Sequence, residues 1–331
     1  MVKVKSNVSA LRITSGGKDK STNTEYINFL NFPSDEETRS CMTAEEGNRW
    51  ISIDYSGQET YLLASIANDR AIIEELTNGS GDIHSLTAYI SYKEIPRDTK
   101  IKDIKKLYHN YRQEAKGIEF AINYGGDANT IAINKGIPIE EAQKIYNDYM
   151  SGFKGIKVYQ DFCRKDVMEK GYILLNPLTG HKAYIYDYND LMRIKKKFSD
   201  PEFWSYYREM KKECPSCNTV QEVKRYFKRK SASEKQSINY RIQGTGSMCL
   251  RVSLINFFEY LRRNNLLFKV LITVTPYDEI NCEAPEEIAE EMANKLYECM
   301  VKAGSYFCTR CKLDADISRL EDGSLPTYWV H

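Results

Sequence analysis

At 331 residues the chain has the length for one large core or two ordinary domains. Its 47 Lys and Arg against 46 Asp and Glu leave a net charge of +1, which excludes a global basic field as the means of holding nucleic acid and makes any basic surface local. No run reaches the ~20 apolar residues that span a bilayer and Met1-Val2-Lys3-Val4-Lys5 has no signal-peptide core, so a soluble cytoplasmic protein without a membrane partner is expected.

Residues 15–25 read as loop, and Trp50-Ile51-Ser52-Ile53-Asp54 alternates like a half-buried strand ending in an acid, with a helix from Glu59. Residues 100–123 have helical periodicity, and Pro138-Ile139-Glu140-Glu141 looks like a helix start with proline in the first turn. Gly171 to Ile185, turning at Asn176-Pro177-Leu178-Thr179-Gly180, reads as a hairpin. Residues 191–230 hold twelve Lys or Arg against five Asp or Glu, which fits a solvated helix face or a binding surface equally. A long helix over 232–264 follows. An apolar run from Leu266 to Thr275 then turns at Pro276-Tyr277-Asp278-Glu279 and returns as Ile280-Asn281-Cys282-Glu283, a hairpin with acids at its tip. A helix from Pro285 and a strand near Lys312–Ile317 complete an α+β pattern.

Asp54 and Asp278 each stand where a strand ends. Two-metal phosphoryl transfer needs carboxylates on rigid elements, close enough to hold cations about 3.5–4 Å apart, and strand ends suit that geometry. Either acid alone is more often a turn residue. Arg112, Lys116, Phe120 and Tyr124 recur every four residues, so on a helix they form one stripe, two cations followed by two rings. Such a stripe can set positive charge against a triphosphate and a ring against a base, or it can be the mixed face of an ordinary helix capped at Gly125-Gly126.

Asp54-Tyr55-Ser56-Gly57-Gln58-Glu59 resembles motif A of family A DNA polymerases, usually Asp-Tyr-Ser-Gln-Ile-Glu. The Arg112–Gly125 stripe looks like motif B, and Tyr277-Asp278-Glu279 resembles motif C, usually His-Asp-Glu. Arg12-Ile13-Thr14-Ser15, Asn28-Phe29-Leu30-Asn31-Phe32-Pro33, Asp82-Ile83-His84 and Asn239-Tyr240-Arg241-Ile242-Gln243-Gly244-Thr245 are similar to further stretches of the family. The resemblance implies a right-hand polymerase fold: an antiparallel palm sheet in 1–69 and 241–331, and helical fingers in 70–240, interrupted by an insertion near 187–229. It implies Asp54 and Asp278 as ligands of two Mg²⁺ ions, with Glu279 a supporting acid. Glu59 would select deoxynucleotides. Arg112, Lys116 and His84 would hold the triphosphate, Lys116 also protonating departing pyrophosphate. Phe120 would contact the incoming nucleotide and Tyr124 guard the templating position. Arg12, Lys235, Asn239, Gln243 and Tyr277 would touch primer–template DNA. The implied partners are that DNA and dNTPs, in a bacterial or phage-infected cell.

Several positions depart from the family pattern. Gly57-Gln58 replaces Gln-Ile, Tyr277 replaces the motif C histidine, Lys235 stands where arginine is usual, and Leu30 and Arg241 replace commoner residues. The chain starts almost at the palm, so a thumb and an exonuclease-like domain are expected from a separate chain, or the chain is an excised or minimal form. Cys214-Pro-Ser-Cys217 and Cys308-Thr-Arg-Cys311 are two Cys-x-x-Cys pairs; a shared structural zinc is one reading and free thiols the other. Two rival functions stand beside DNA synthesis. A single-subunit RNA polymerase would share the palm chemistry, with Glu59 against it. A non-catalytic DNA-binding subunit of a split replicase would not need the acids, Arg112 or Lys116.

Overall fold

In the computed structural model the described residues are 35–330, preceded by the backbone alone of four short strands. The chain divides into two compact units, Met1–Asn68 with Ile242–His331, and Asp69–Arg241.

The first unit begins with two small antiparallel pairs, β1 (Ser6–Ser9) with β2 (Arg12–Ser15) and β3 (Gly17–Asp19) with β4 (Thr24–Tyr26). The second pair falls where the sequence reads as loop, because its strands lack the apolar alternation that marks a half-buried strand. The side chain of Arg12 and the whole of Asn28–Pro33 lie outside the described residues. Next come α1 (Glu36–Arg39), β5 (Asn48–Tyr55) and α2 (Gln58–Ala67). Gly57 opens α2 at φ 61°, a left-handed conformation that glycine adopts without steric cost.

The second unit is mostly helical: α3 (Arg70–Thr77), α4 (Ile83–Ser91), α5 (Ile101–Leu107), α6 (His109–Asn123), α7 (Ala128–Lys135), α8 (Ile139–Gly152) and α9 (Lys154–Lys170). The periodicity over 100–123 is broken at Tyr108, which leaves helical geometry (φ −130°, ψ 43°). Ile104 before the break and Ala115 after it then share one core with Ala88 and Ile95. Pro138 is the N-cap of α8, one position earlier than expected. The Asp69 carboxylate caps α3 by accepting from the Ala71 and Ile72 amides, and its other oxygen accepts from Gly155 and Ile156 at the start of α9. One acid thus satisfies the open amides of two helix N-termini.

The hairpin forms as β6 (Tyr172–Leu174) and β7 (Lys182–Tyr184). The segment 187–229 folds as α10 (Tyr188–Lys197), α11 (Pro201–Glu213) and the first turns of α12 (Asn218–Arg263). α12 therefore starts well before the expected 232, because Val220, Val223 and Tyr226 supply a buried stripe at three-residue spacing.

The boundary between units falls within α12. Beyond it lie β8 (Leu271–Ile272), β9 (Glu279–Pro285), α13 (Glu286–Phe307) and β10 (Ala315–Ile317). They complete a four-stranded sheet in the order β10-β5-β9-β8, antiparallel throughout. Alternation along β5 and β9 buries Ile51, Ile53, Tyr55, Ile280, Cys282 and Ala284, while Met292, Ala293, Leu296 and Met300 of α13 are buried with them. Each such isoleucine contributes about 2–3 kcal/mol over leaving it exposed. Tyr55 ties the layers together, its hydroxyl donating to the Met300 carbonyl at 2.7 Å and meeting Ser253 Oγ of α12 at 2.8 Å. Among the described residues no helix is long and apolar enough to cross a membrane.

Candidate active site

The register of the central sheet brings the two aspartates together. Asp54 sits one residue from the end of β5, directly opposite Glu279 of β9 on one side and Asp316 of β10 on the other. Asp278 immediately precedes β9, and its carbonyl accepts from the Tyr55 amide at 3.4 Å. The two aspartates, 224 residues apart in sequence, thus stand at the same end of the sheet, Asp54 near the end of β5 and Asp278 in the turn that leads into the adjacent β9. Tyr277, at the tip of that hairpin, is half-exposed with φ 48°.

Electrostatically the site is under-compensated. Asp54 Oδ1 is buried with no hydrogen-bond partner. Burial, followed by the neighbouring Glu279 and then Asp316, pushes its carboxyl up to about 6, against the opposing pull of the Tyr55 amide and Arg39. Glu279 differs in kind. Buried at 5% exposure, its Oε1 accepts from Ser52 Oγ, from Asn281 Nδ2 at 3.0 Å and from Trp329 Nε1 at 2.6 Å. Asn281 in turn accepts from Trp50 Nε1 at 2.8 Å. This network supports the sheet beneath Asp54. Asp316, which sequence reasoning missed, accepts from Ser56 Oγ at 2.5 Å. The expected last strand held the signal for it, but only the β10–β5 register reveals that it faces Asp54.

Glu59 lies in the first turn of α2 and is half-buried. Gln58 beside it is buried, and a Cβ on Gly246 of α12 would come within 2.2 Å of its Oε1, so Gly246 makes the room that Gln58 occupies.

The second unit carries the cationic-aromatic stripe on α6. Arg112 donates from Nε and Nη2 to the two oxygens of Asp82, at 2.8 and 3.0 Å. Asp82 is also the N-cap of α4; burial pushes its carboxyl up, but the Arg112 and Ser85 hydrogen bonds outweigh that and hold it below the usual range. His84 Nδ1 meets Glu119 Oε2 at 2.7 Å, and Glu119 is itself buried. Lys116 is exposed and in no ion pair among the described residues, with its Nζ 6.0 Å from the centre of the Phe120 ring. Phe120 stacks on Tyr124 at 6.3 Å and lies 6.1 Å from His84, with 45% of its surface exposed. The partners Asp82 and Glu119 went unrecognised in sequence as parts of this group, because neither interaction follows from spacing along α6.

On α12, Asn239 Nδ2 donates to the Tyr124 carbonyl at 3.3 Å, Lys235 is exposed and Gln243 is half-buried. Gly125, at φ 79°, packs so tightly that a Cβ there would meet Ile238 at 2.9 Å. Arg241 is held at 2.7 Å by Asp166.

The two Cys-x-x-Cys pairs belong to different units. All nine cysteines are free, and among the described residues no group of three or more His, Cys, Asp or Glu could hold a metal ion. Cys308 and Cys311 are buried with sulfurs 3.4 Å apart, both directed at the Tyr61 carbonyl, whereas Cys214 is exposed in the turn between α11 and α12.

Residues 13–319 match the family model described as DNA polymerase family A. A thermostable DNA polymerase I of Thermus thermophilus is 25% identical over 291 residues, covering 88% of this chain and 29% of that protein. DNA polymerase I of Bacillus subtilis is 26% identical over 294 residues, covering 88% and 28%. A DNA polymerase of Mycobacterium phage D29 is 33% identical over 145 residues, covering 44% and 22%. The chain thus spans less than a third of the length of these relatives. Among solved structures, the POL domain of Pol1 from M. smegmatis, in complex with DNA primer-template and dNTP, shares the fold with a TM-score of 0.70 at 20% identity, covering 95% of this chain and 47% of that one.

Proposed function

The chain belongs to DNA polymerase family A, and on that premise we propose that it performs template-directed DNA synthesis, in which a primer 3′-hydroxyl attacks the α-phosphorus of a dNTP and pyrophosphate leaves. The unit of Met1–Asn68 and Ile242–His331 acts as the palm and Asp69–Arg241 as the fingers.

The observation that carries this reading is that Asp278, just before β9 and bonded through its carbonyl to the Tyr55 amide, stands at the same end of the sheet as Asp54, which keeps one buried oxygen without a donor. A buried carboxylate crowded by two further acids is costly unless a cation compensates it. That donor set of hard oxygens suits magnesium, which Asp54 and Asp278 would hold. Bound there, two such ions supply the positive charge that lowers the cost of deprotonating the 3′-hydroxyl and of charge on the departing phosphate. Glu279 acts as a positioning residue, fixing β9 beside β5 through Ser52, Asn281 and Trp329.

Arg112 uses two of the five donors of its guanidinium on Asp82, so the carboxylate clamps one edge and leaves the remaining donors for phosphate oxygens. Lys116 meets the triphosphate and protonates pyrophosphate as it leaves. His84, oriented through Nδ1 by Glu119, keeps Nε2 for the same ligand. Phe120 offers an exposed ring to the incoming base and sugar, with Tyr124 stacked behind it at the templating position. Glu59 crowds the sugar 2′ position. Arg12, Lys235, Asn239, Gln243 and Tyr277 contact the primer–template.

Primer extension with Asp278→Ala tests the core of this. The variant is expected to bind primer–template with close to wild-type affinity and to extend it undetectably. Full extension by D278A would end the assignment.

A further inference from the structure

The segment 187–229 takes no part in the proposed chemistry, yet it is a built structure. Leu191, Ile194 and Tyr226 form a buried satellite core. The Phe198 ring sits at its hub, 4.8 Å from Tyr226 and 5.0 Å from Trp204, and Trp204 Nε1 donates to the Phe198 carbonyl at 2.9 Å. At the base Arg229 grips both oxygens of Asp187, at 2.9 and 3.0 Å.

The charge on this framework is unevenly settled. Of the twelve Lys and Arg in 191–230, four are ion-paired: Arg193 with Asp190, Lys197 with Glu222, Arg229 with Asp187 and Lys230 with Glu234. The other eight are in no ion pair among the described residues. Six of these, all exposed, are grouped at three- and four-residue spacing, as Arg208, Lys211 and Lys212 on α11 and Lys224, Arg225 and Lys228 on α12. On α12 the three cations fall on the face opposite Val220, Val223 and Tyr226, so the core itself turns them outward. Like charges at these spacings oppose helix formation, a cost that a merely solubilising face of mixed sign avoids.

We propose that this helical insertion is an accessory platform that binds the sugar-phosphate backbone of nucleic acid. It rests on the polymerase reading only for the identity of the polyanion. Phosphates spaced along a strand meet outward cations held by a rigid core, and the contact carries no sequence preference.

The test uses the full chain, with fluorescence anisotropy on a labelled oligothymidylate and on a blunt hairpin duplex, from about 50 to 200 mM salt. K211Q/K212Q/K224Q/R225Q/K228Q is expected to bind the single strand at least about tenfold more weakly at low salt, with the slope of log affinity against log salt reduced by about 3.5, at about 0.7 for each lost phosphate contact. K211R/K212R/K224R/K228R should keep wild-type values. A smaller change on the hairpin assigns the platform to a single strand, and an equal change assigns it to either form. Wild-type affinity and slope on both ligands overturns the proposal. Should the quintuple variant melt early, K224Q/K228Q carries the test, with an expected slope loss of about 1.4. Primer extension by the wild-type chain is scored separately, so loss of binding in the charge variant alongside no extension by wild type would sink the polymerase reading and leave this one standing.

Discussion

At the end of β5 in the first unit, Asp54 keeps a buried carboxylate oxygen without a donor and has Glu279 and Asp316 for neighbours across the sheet. In the second unit comparable acids are met: Asp82 by Arg112 and Glu119 by His84 beside the α6 stripe, and Asp69 by the amides at the starts of α3 and α9. The same residue types therefore do opposite work. Where a carboxylate is answered by a donor within the chain, it fixes a side chain or a helix end. Where it is left unanswered and crowded by its own kind, the fold carries a cost that a bound cation would offset, as the proposed function requires.

The largest effect expected from that contrast is on catalysis in the first unit. Asp54→Asn keeps the size and shape of the side chain while removing the charge, so it should lower the rate of primer extension by about 10³-fold or more. Single-turnover extension at saturating dNTP checks it. Near-normal rates in D54N would show that the unanswered oxygen is not a ligand.

In the second unit, removing a charge should instead cost stability. Arg112→Ala strips the fork from a largely buried Asp82 and should destabilise the fold by about 2 kcal/mol, measured by urea unfolding, while raising the KM for dNTP. Arg112→Lys retains charge without the two-pronged geometry and should fall between. If R112A were as stable as wild type, the Asp82 pair would be no structural clamp, and the distinction drawn between the units would weaken.

Much of this was legible along the chain, and the illegible part has a common cause. The positions of Asp54 near a strand end and of Asp278 in a turn could be read because strand alternation and turn chemistry are local, as are the four-residue stripe of α6 and the Tyr172–Tyr184 hairpin. What escaped depends on register between distant segments. Asp316 matters because β10 pairs with β5, and Glu279 became a network hub because Trp329, fifty residues on, reaches its oxygen. Spacing alone also leaves the Cys-x-x-Cys pairs open between zinc and free thiols, and the burial of Cys308 and Cys311 against the Tyr61 carbonyl is decided by packing around α2.

The smallest expected effect is also the most direct test of whether Asp54 is unanswered. Its carboxyl titrates near 6 in the folded protein against an ordinary 3.8, a shift upward, so between about pH 4 and 6 the folded chain binds more protons than the unfolded one. Stability must then fall as pH rises through that window, the reverse of the behaviour of a salt-bridged aspartate such as Asp82. The favourable contribution is present in full below 3.8 and gone above 6, and with partial solvent access it amounts to about 1–2 kcal/mol. The amide that D54N introduces cannot titrate. In buffer containing chelator, wild type and D54N should therefore be nearly equal near pH 4, and the variant should be the more stable by that amount at pH 7, as read from urea midpoints. A gap independent of pH would mean that Asp54 carries no such burden, and divalent cation should close the gap by stabilising wild type alone.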